Sequence, residues 1–471
     1  MKTLMARMAA TTLALTALAC LPTVSLHAEE AAGNWGGLLA GQLHIVVHVT
    51  KDGNGRYAAS LESPDQGTFV LAASDVAVTP DHLAFAIGDI SARYDGAWSP
   101  AQGQWLGAWT QQSQSMPLNL TRLTTATDRQ PAIARPQEDA ILAGPPPYRQ
   151  SEATFTNPTG NVTLAGTLSV PAGKGPFPAV ILVSGSGPQT RDEDVLGHRI
   201  FLVLSDALTR RGIAVLRYDK RGVGASTGDF ATATSPDFAS DVEAGLDWLK
   251  TCKDIDPGHI GLIGHSEGGA IVPSVAVRHP EVAFSVLMAA PGLRTDRLTV
   301  LQTVRIARAS GVPEAAIAKL TAFLEHMLAD VMAAPSDDDA LRLARADAAS
   351  AVADGVIPAA SAEETVRQVA SPWSRQALAY DPVPTLRRLT TPVLAVTGSL
   401  DLQVPATENL ALITEALAAN PDATVMVLPG LNHMFQTAAT GAPAEYGAIT
   451  ETMAPAALSV IVDWVAAHAH P

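Results

Sequence analysis

The stretch Gly264-His265-Ser266-Glu267-Gly268-Gly269 constrains the fold of this chain more than any other. An apolar run, 259–263, precedes it, and a helix-forming run, 270–278, follows it. Strand, sharp turn and helix in this order place the serine at the tip of a strained turn, with its hydroxyl above a sheet. The glycines fit because a Cβ there would collide with the neighbouring strand and helix. The motif therefore predicts a nucleophilic serine at position 266.

Composition narrows the class of protein and its partners. The 471 residues are 47% hydrophobic and 16% charged, with a formal net charge of −15. These values are typical of a well-packed globular protein rather than a disordered one, and the length predicts two or three domains. Because the charge is negative and no basic cluster interrupts it, we expect no nucleic acid and no anionic membrane as the main partner.

Residues 1–28 have the pattern of a secretory signal peptide, in which Lys2 and Arg7 precede an apolar segment. We therefore expect a periplasmic or secreted protein. A membrane anchor is the alternative, but Pro22 interrupts the apolar run before the ~20 residues that a span needs, so we expect no stable span after cleavage. Lipid attachment at Cys20 is not expected, because the residues before it are in an unusual order.

Residues 32–122 predict a small all-β domain, a barrel or a sandwich. Apolar residues alternate with polar ones in short runs, and Asp52-Gly53-Asn54-Gly55 is a strong hairpin turn. Two groups of side chains could bind ligands, namely the pair His44 and His48 and the set Trp98, Trp105 and Trp109. We expect the histidines to be exposed strand residues rather than metal ligands. We expect the tryptophans to pack in the core rather than form a binding face.

Residues 123–150 predict a linker, since Pro131, Pro136 and the run 145–147 oppose regular structure. From 151 to 471 strand and helix patterns alternate, which predicts a doubly wound α/β sheet. The alternation stops between about 293 and 380, where only helices are predicted. We expect this insertion to form a helical cap over the carboxyl ends of the strands.

A nucleophilic serine needs a base, and the base needs a carboxylate that orients it. Asp401 follows the predicted strand 393–396, and His433 follows the predicted strand 424–428. Both residues therefore belong to loops at the carboxyl edge of the sheet, where Ser266 also lies. The chain order serine, aspartate, histidine matches a known arrangement of such triads.

The remaining site residues follow from the same geometry. An oxyanion needs two backbone N–H donors, which we assign to Glu267 and to Ser186 in the loop after strand 179–183, with Gly187 next. We expect Gly187 to contact the substrate together with three apolar cap residues, Leu298, Leu301 and Trp373.

Two charged segments suggest other chemistry. Arg191-Asp192-Glu193-Asp194 could suggest a metal cluster, but adjacent acids seldom converge on one ion, so we predict a solvated or arginine-paired loop and no metal site. The segment 219–224 lacks the full spacing of a phosphate loop and predicts a structural loop with paired charges.

Four segments carry a resemblance to a known family: Ser184-Gly185-Ser186-Gly187-Pro188, the stretch 217–224, the serine motif, and Leu431-Asn432-His433-Met434-Phe435-Gln436. With them, residues 151–471 resemble the bacterial α/β-hydrolase carboxylesterases that carry a helical cap. The resemblance implies hydrolysis of acyl esters without a cofactor. Relatives are often labelled serine aminopeptidases, a label that rests on fold more than on chemistry. The first 122 residues resemble a β domain that precedes such hydrolases in some secreted homologues.

We therefore expect an exported serine esterase that acts on small uncharged acyl esters. A serine peptidase with the same triad is one alternative, and a binding protein with an inert hydrolase domain is another. A peptidase would need a carboxylate for the substrate ammonium, and Glu267, the acids 192–194 and Glu445 could serve. We expect Glu267 to pair with Arg191 or Arg217 instead.

Overall fold

The computed structural model describes residues 31–39, 43–63, 70–90, 92–111, 114–123 and 133–469. The predicted signal peptide, including Cys20, lies outside the described residues. Among the residues that are described, every helix is too short or too polar to cross a membrane.

The N-terminal part of the chain forms one antiparallel sheet of nine strands. Its strands are β1 Gly33–Leu39, β2 Leu43–Lys51, β3 Tyr57–Glu62, β4 Val70–Ala72, β5 Ser74–Thr79, β6 His82–Ile87, β7 Ala92–Ser99, β8 Gln104–Gln111 and β9 Gln114–Leu123, with a 3-10 turn at Gly88–Ile90. The strand order is β4-β3-β2-β1-β9-β8-β7-β6-β5. The two edge strands are therefore consecutive in the chain and are separated by Ala73 alone. Ala73 N–H donates to the carbonyl of Ala59 in β3 at 2.9 Å, so the sheet curls round on itself like a barrel.

Aromatic side chains fill the interior of this sheet. The Trp98 ring lies 5.8 Å from that of Trp35 and 5.0 Å from that of Trp105. Trp105 and Trp109 are each 1% exposed, which confirms that the tryptophans pack in the core. His48 is half-buried and bonded through Nδ1 to Asn34 Oδ1 at 2.8 Å. Within the described residues, neither His48 nor His44 belongs to a group with metal-ligand geometry.

The linker prediction is wrong for part of residues 123–150. Helix α1 runs from Pro136 to Leu142, residue 123 ends β9, and residue 149 begins the next strand. Pro136 starts the helix, a position at which its missing N–H costs nothing. The Arg135 guanidinium donates to the carbonyls of Leu196, Gly447 and Ile449 at 2.8–3.0 Å. These contacts hold the segment on the following domain, and their sequence separation explains why local patterns do not reveal them.

The second part of the chain is a doubly wound sheet, as predicted. Its eight strands are β10 Arg149–Asn157, β11 Val162–Val170, β12 Phe177–Val183, β15 Ala214–Tyr218, β16 Ile255–His265, β17 Ser285–Met288, β18 Val393–Gly398 and β19 Ala423–Leu428, in the order β10-β11-β15-β12-β16-β17-β18-β19. The last six strands in this order are parallel, whereas β10 and β11 are antiparallel to their neighbours. A small hairpin, β13 Asp194–Val195 and β14 His198–Arg199, lies outside this sheet.

Helices cover both faces of this sheet, which gives it two apolar cores. One face carries α2 Ile200–Arg210 and α12 Pro455–Ala469, and the other carries α3 Ser235–Lys250, α4 Glu267–Arg278 and α11 Ala406–Ala416. A short helix, α10 Val383–Leu386, precedes β18, and a 3-10 helix runs from Pro443 to Ala448. The strands between the cores are apolar along most of their length because both of their faces are covered.

The helical cap lies between β17 and β18. It consists of α5 Thr295–Ala309, α6 Glu314–Ala333, α7 Asp337–Ala353, α8 Ala362–Ala370 and α9 Pro372–Leu378, with a 3-10 turn at Ala359–Ser361. Alanines at 340, 344 and 348 repeat every fourth residue along α7 and are buried against Met327 and Val331 of α6. Four-residue spacing puts them on one helix face, so the cap has a small core of its own.

Candidate active site

Ser266 lies in the sharp turn between β16 and α4. Its backbone has φ 52° and ψ −115°, and its N–H donates to the carbonyl of Met288 at 2.9 Å. A Cβ on Gly264 would lie 2.2 Å from the carbonyl oxygen of Gly268, and one on Gly268 would lie 1.9 Å from that of Val183. Gly264 and Gly268 are therefore required by the close approach of neighbouring backbone segments.

Asp401 and His433 lie in the loops that follow β18 and β19. His433 Nδ1 is 2.8 Å from Asp401 Oδ2, and both side chains are buried. The other carboxylate oxygen accepts the N–H groups of Gln403 at 2.8 Å and Val404 at 2.7 Å. Because a carboxylate accepts hydrogen bonds, Nδ1 of His433 carries the proton and Nε2 is the nitrogen left to act as a base.

The loop around His433 is held by a buried amide that sequence reasoning missed. Asn432 Oδ1 accepts the N–H groups of Met434 and Gln436, each at 3.0 Å, and its Nδ2 donates to Gln436 Oε1 at 2.9 Å. The sequence does contain a signal for this role, because the amide residues Asn432 and Gln436 lie on either side of His433. The amides fix the turn that presents His433.

His265 connects the serine turn to the histidine loop. Its Nε2 is 3.0 Å from the carbonyl oxygen of His433, and the two imidazole rings are 4.9 Å apart between centroids. Ser266, Asp401 and His433 thus come together at the carboxyl edge of the sheet, although the described residues contain no hydrogen bond between Ser266 Oγ and His433. Such bonds are often long before substrate binds.

The Nδ1 atom of His265 contacts a second buried group, Glu193. The distance from Nδ1 to Glu193 Oε1 is 2.9 Å. Burial alone would lower the pKa of His265, but the Glu193 carboxylate raises that pKa above its ordinary value. His265 is therefore engaged at both ring nitrogens.

The loop after β12 lies against Ser266. A Cβ on Gly185 would be 3.3 Å from the Cβ of Ser266. Gly185 N–H donates to Glu193 Oε1 at 2.6 Å, and its carbonyl accepts from Lys220 Nζ at 2.6 Å. Gly185 N–H is therefore already occupied. In the part of the chain that the structure describes, the N–H groups of Ser186 and Glu267 donate to no protein acceptor.

The Glu267 side chain is fully engaged, but not by the arginines we expected. Its Oε2 is 3.0 Å from Lys220 Nζ, and its Oε1 accepts from Ser235 Oγ and Trp373 Nε1, each at 2.7 Å. The predicted pairing with Arg191 or Arg217 is wrong, because the chain beyond β15 brings Lys220 to the serine turn instead.

The two expected arginines pair elsewhere. Arg191 pairs with Asp219 at 2.9 Å, and Arg217 pairs with Asp192.

Burial raises the pKa of Asp194 to about 6 although Arg199 lies beside it. The acids 192–194 are thus paired with cations or with a histidine, and they face different partners rather than a common ion.

A cavity of about 450 Å³ opens beside Ser266. One face of α4 forms part of its wall, and residues of α3, of the cap and of the loops after β12 and β18 form the rest. Its lining includes Ser186, Ser235, Ala239, Glu243, Glu267, Ala270, Ile271, Ser274, Arg278, Thr295, Leu298, Thr299, Gln302, Trp373, Ala377, Tyr380 and Gln403. The volume lies in the range of small-molecule sites.

Two of the four predicted substrate contacts line this cavity and two do not. Leu298 and Trp373 belong to its lining, whereas Gly187 does not and only its neighbour Ser186 does. Leu301 faces a separate groove between α5 and α6. The cavity side of α5 carries residues 295, 298, 299 and 302, and Leu301 lies past the edge of that stripe.

Among the described residues, His326, Asp330 and Asp347 have the spacing of a possible cation site. One ligand atom of each lies within 4.8 Å of the others, and His326 Nε2 is 3.5 Å from Asp347 Oδ1. They belong to α6 and α7 of the cap, and none of them lines the cavity beside Ser266. This group is separate from the candidate active site.

A family model described as serine aminopeptidase, S33, matches residues 198–437. Two curated relatives are similar to this chain. Esterase EstD of Thermotoga maritima is 29% identical over 290 residues, which cover 60% of this chain and 61% of that protein. The 2-(acetamidomethylene)succinate hydrolase of Mesorhizobium japonicum is 30% identical over 236 residues, 50% of this chain and 75% of that protein. The chain thus spans less than two thirds of the length of the Thermotoga esterase.

Solved structures also resemble this chain. The Pyrococcus furiosus esterase Pf2001 aligns with a TM-score of 0.41 at 18% identity, over 60% of this chain and 83% of that one. The α/β hydrolase GrgF from a Penicillium species aligns with a TM-score of 0.42 at 21% identity, over 61% and 91%.

Proposed function

This chain belongs to the serine aminopeptidase S33 family of α/β-hydrolases, and on that premise we propose that it is an exported carboxylesterase with a Ser266–His433–Asp401 triad. The observation that carries the proposal is the buried 2.8 Å contact between Asp401 and His433 Nδ1 at the sheet edge where the Ser266 turn also lies. It leaves Nε2 of His433 as a base with a fixed orientation.

The reaction proceeds in two displacements. His433 Nε2 takes the Ser266 proton while Oγ attacks the ester carbonyl, and the N–H groups of Glu267 and Ser186 stabilise the oxyanion. Collapse expels the alcohol, which receives its proton from His433, and leaves Ser266 acylated. Water activated by His433 then attacks the acyl-enzyme, releases the acid and restores the serine.

The carboxylates near the cavity favour esters over peptides. An aminopeptidase must bind the α-ammonium of its substrate, which requires a carboxylate without another cation. Two carboxylates line the cavity: Glu267 is bound by Lys220, and Glu243 accepts from Arg278 Nε at 2.6 Å. Glu445 accepts backbone N–H groups, among them that of Gly441 at 2.5 Å. Both carboxylates of the cavity are thus paired with a cation, and Glu445 does not line the cavity.

A peptidase remains the second candidate, because the family description names aminopeptidases. The similarity to a protein named esterase EstD supports ester hydrolysis as the activity. Export rests on the signal pattern of residues 1–28. The N-terminal barrel contributes none of the proposed catalytic groups, and we propose that it is dispensable for the chemistry.

Labelling and a substrate panel test this proposal. A fluorophosphonate should label Ser266, and Ser266→Ala should abolish labelling and turnover. Acetyl to octanoyl esters should be hydrolysed, whereas an alanyl anilide should be hydrolysed little or not at all. Comparable kcat/KM for the anilide and the butyryl ester would favour the peptidase. A folded protein that neither reacts with the probe nor turns over any ester would favour an inert binding domain.

A further inference from the structure

Glu193 and His265 form a buried pair behind the proposed triad. Their side chains are 2% and 4% exposed, and His265 Nδ1 lies 2.9 Å from Glu193 Oε1. Neither residue lines the cavity beside Ser266. The pair therefore does not contact a substrate there, and a role in the reaction would be exerted through other residues.

The pair is linked to three pieces of the proposed site. Glu193 Oε1 also accepts the N–H of Gly185, which precedes Ser186 in the oxyanion loop, at 2.6 Å. His265 Nε2 is 3.0 Å from the carbonyl oxygen of His433. A carbonyl oxygen only accepts, so Nε2 is the donor. Because His265 directly precedes Ser266, the two side chains connect the oxyanion loop, the nucleophile and the base.

The oxyanion loop is fixed from its other side as well. Lys220 Nζ donates to the carbonyl of Gly185 at 2.6 Å and pairs with Glu267 at 3.0 Å. Both backbone groups of Gly185 are therefore bonded to buried charged side chains. The N–H of Ser186, one bond further along, then has little freedom to turn away from the site.

Stability alone does not explain this arrangement. Glu193 has φ 49°, in the left-handed region that non-glycine residues rarely adopt. Its Oε2 is buried and makes no hydrogen bond with the residues that the structure describes. Apolar side chains of similar size would fill the same space without the desolvation that a buried ion pair requires. Strained, buried polar groups of this kind cluster at functional sites.

We propose that Glu193 and His265 are positioning residues, which hold the oxyanion donor of Ser186 and the base His433 in register with Ser266. The inference rests on the proposed serine hydrolase function. A shift of about 1 Å in a catalytic group can reduce the rate by about 100-fold, so loosening either contact should lower kcat more than it raises KM.

Three variants of the full chain separate the two contacts. His265→Asn places an amide donor near the Nδ1 position and retains the Glu193 contact alone, whereas His265→Gln places one near Nε2 and retains the His433 contact alone. Glu193→Met keeps most of the length and volume of Glu193 and removes the oxygen that accepts from both Gly185 and His265. The matched control is His259→Gln in the same strand, a half-exposed histidine paired with Asp256 at 2.9 Å.

The measurements are kcat and KM for a butyryl ester and the rate of Ser266 labelling by a fluorophosphonate, well below the Tm of each variant and normalised to the folded fraction. We expect kcat and the labelling rate to fall about 10- to 100-fold in all three variants, with KM within about twofold and the control unchanged. If one of the three variants fails to fold, the other two decide, since each variant removes at least one of the contacts of the pair.

Wild-type kcat in folded Glu193→Met, or in either folded His265 variant, would overturn the positioning role. A rise in KM at constant kcat would also overturn it, since that result would indicate a binding contact. If the wild-type protein itself is not labelled at Ser266, the proposed function fails, and that outcome is distinct because it precedes any comparison of variants.

Discussion

Trp373 Nε1 donates a 2.7 Å hydrogen bond to Oε1 of Glu267, the residue that follows Ser266. The bond joins helix α9 of the cap to the first turn of α4, and both side chains line the cavity. The carboxylate that receives it is also bound by Lys220. The cap wall and the serine turn are therefore connected by a direct contact.

Trp373→Phe should weaken this connection while keeping most of the aromatic bulk. A hydrogen bond to a charged group contributes about 1.5–3 kcal/mol, so we expect the free energy of unfolding to fall by roughly that amount. Urea unfolding measures it. The matched control is Trp248→Phe, since Trp248 stacks on Phe155 outside the cavity lining. Equal losses in the two variants would show that the Glu267 bond is unimportant.

The two leucines of α5 should differ in their effect on substrate choice. Leu298→Trp adds bulk to the cavity, so we expect kcat/KM for octanoyl esters to fall at least about tenfold relative to acetyl esters. Leu301→Trp should leave this ratio unchanged, because Leu301 faces the separate groove in the cap. A chain-length series measured on both variants checks the assignment, and the reverse pattern would place the acyl group in the cap groove.

His433→Ala should remove the proposed base without removing the fold. Triad deletions lower kcat by about 10⁴- to 10⁶-fold, and we expect a loss in that range for ester hydrolysis. His259→Ala serves as the control because His259 is half-exposed and pairs with Asp256. Steady-state kinetics after confirmation of the fold by circular dichroism decide the point. A rate close to that of the wild type would assign the base to another histidine.

His198 should make the protein sensitive to acid. Burial, with a contribution from the Arg135 charge, lowers the pKa of His198 to about 4. Below about pH 6.5 the unfolded state binds a proton at His198, whereas the folded state does so only near pH 4. The contribution of His198 to the free energy of unfolding is therefore complete above about pH 6.5 and is lost as the pH falls towards 4. The difference corresponds to about 3 kcal/mol. His198→Gln should lack this loss, and urea unfolding at pH 7 and pH 4.5 should show wild type and variant diverging.

The position of an N-terminal truncation should matter. A protein starting at residue 133 keeps Arg135 and Glu138, whereas one starting at 148 leaves the carbonyls of Leu196, Gly447 and Ile449 without their donor. Hydrogen bonds that involve a charged group contribute about 1.5–3 kcal/mol each, and the shorter protein lacks those of Arg135, so it should unfold at a clearly lower temperature. Both should hydrolyse a small ester while folded. Equal Tm values would show that the segment 133–147 is not part of the domain.

The triad residues, the sheet and the cap could be predicted because each depends on patterns of neighbouring residues in the sequence. The serine turn, Asp401 and His433 each follow an apolar strand, and a parallel sheet brings the ends of its strands to one edge. The doubly wound sheet and the cap follow from the same alternation of strand and helix patterns.

The groups that hold the site in place are harder to predict because their partners are distant in the chain. Glu193 lies 72 positions before His265, and Arg135 lies 314 before Ile449. Local patterns treat the first as part of a charged loop and the second as part of a linker. The sequence does not show that Leu301 lies in the cap groove and not in the cavity, because apolar residues mark both sides of α5 and only the packing of α6 distinguishes them.

The left-handed backbone conformation of Ser266 favours catalysis but lowers the thermal stability of the protein. Holding a non-glycine residue at φ 52° costs about 1–3 kcal/mol, a large share of the 5–15 kcal/mol by which most domains are stable. Neighbouring contacts must supply that energy, among them the bond from Ser266 N–H to Met288. Substitutions that relax this turn would raise the melting temperature and lower the rate. Selection for turnover would then keep the chain below the stability that its fold could otherwise reach.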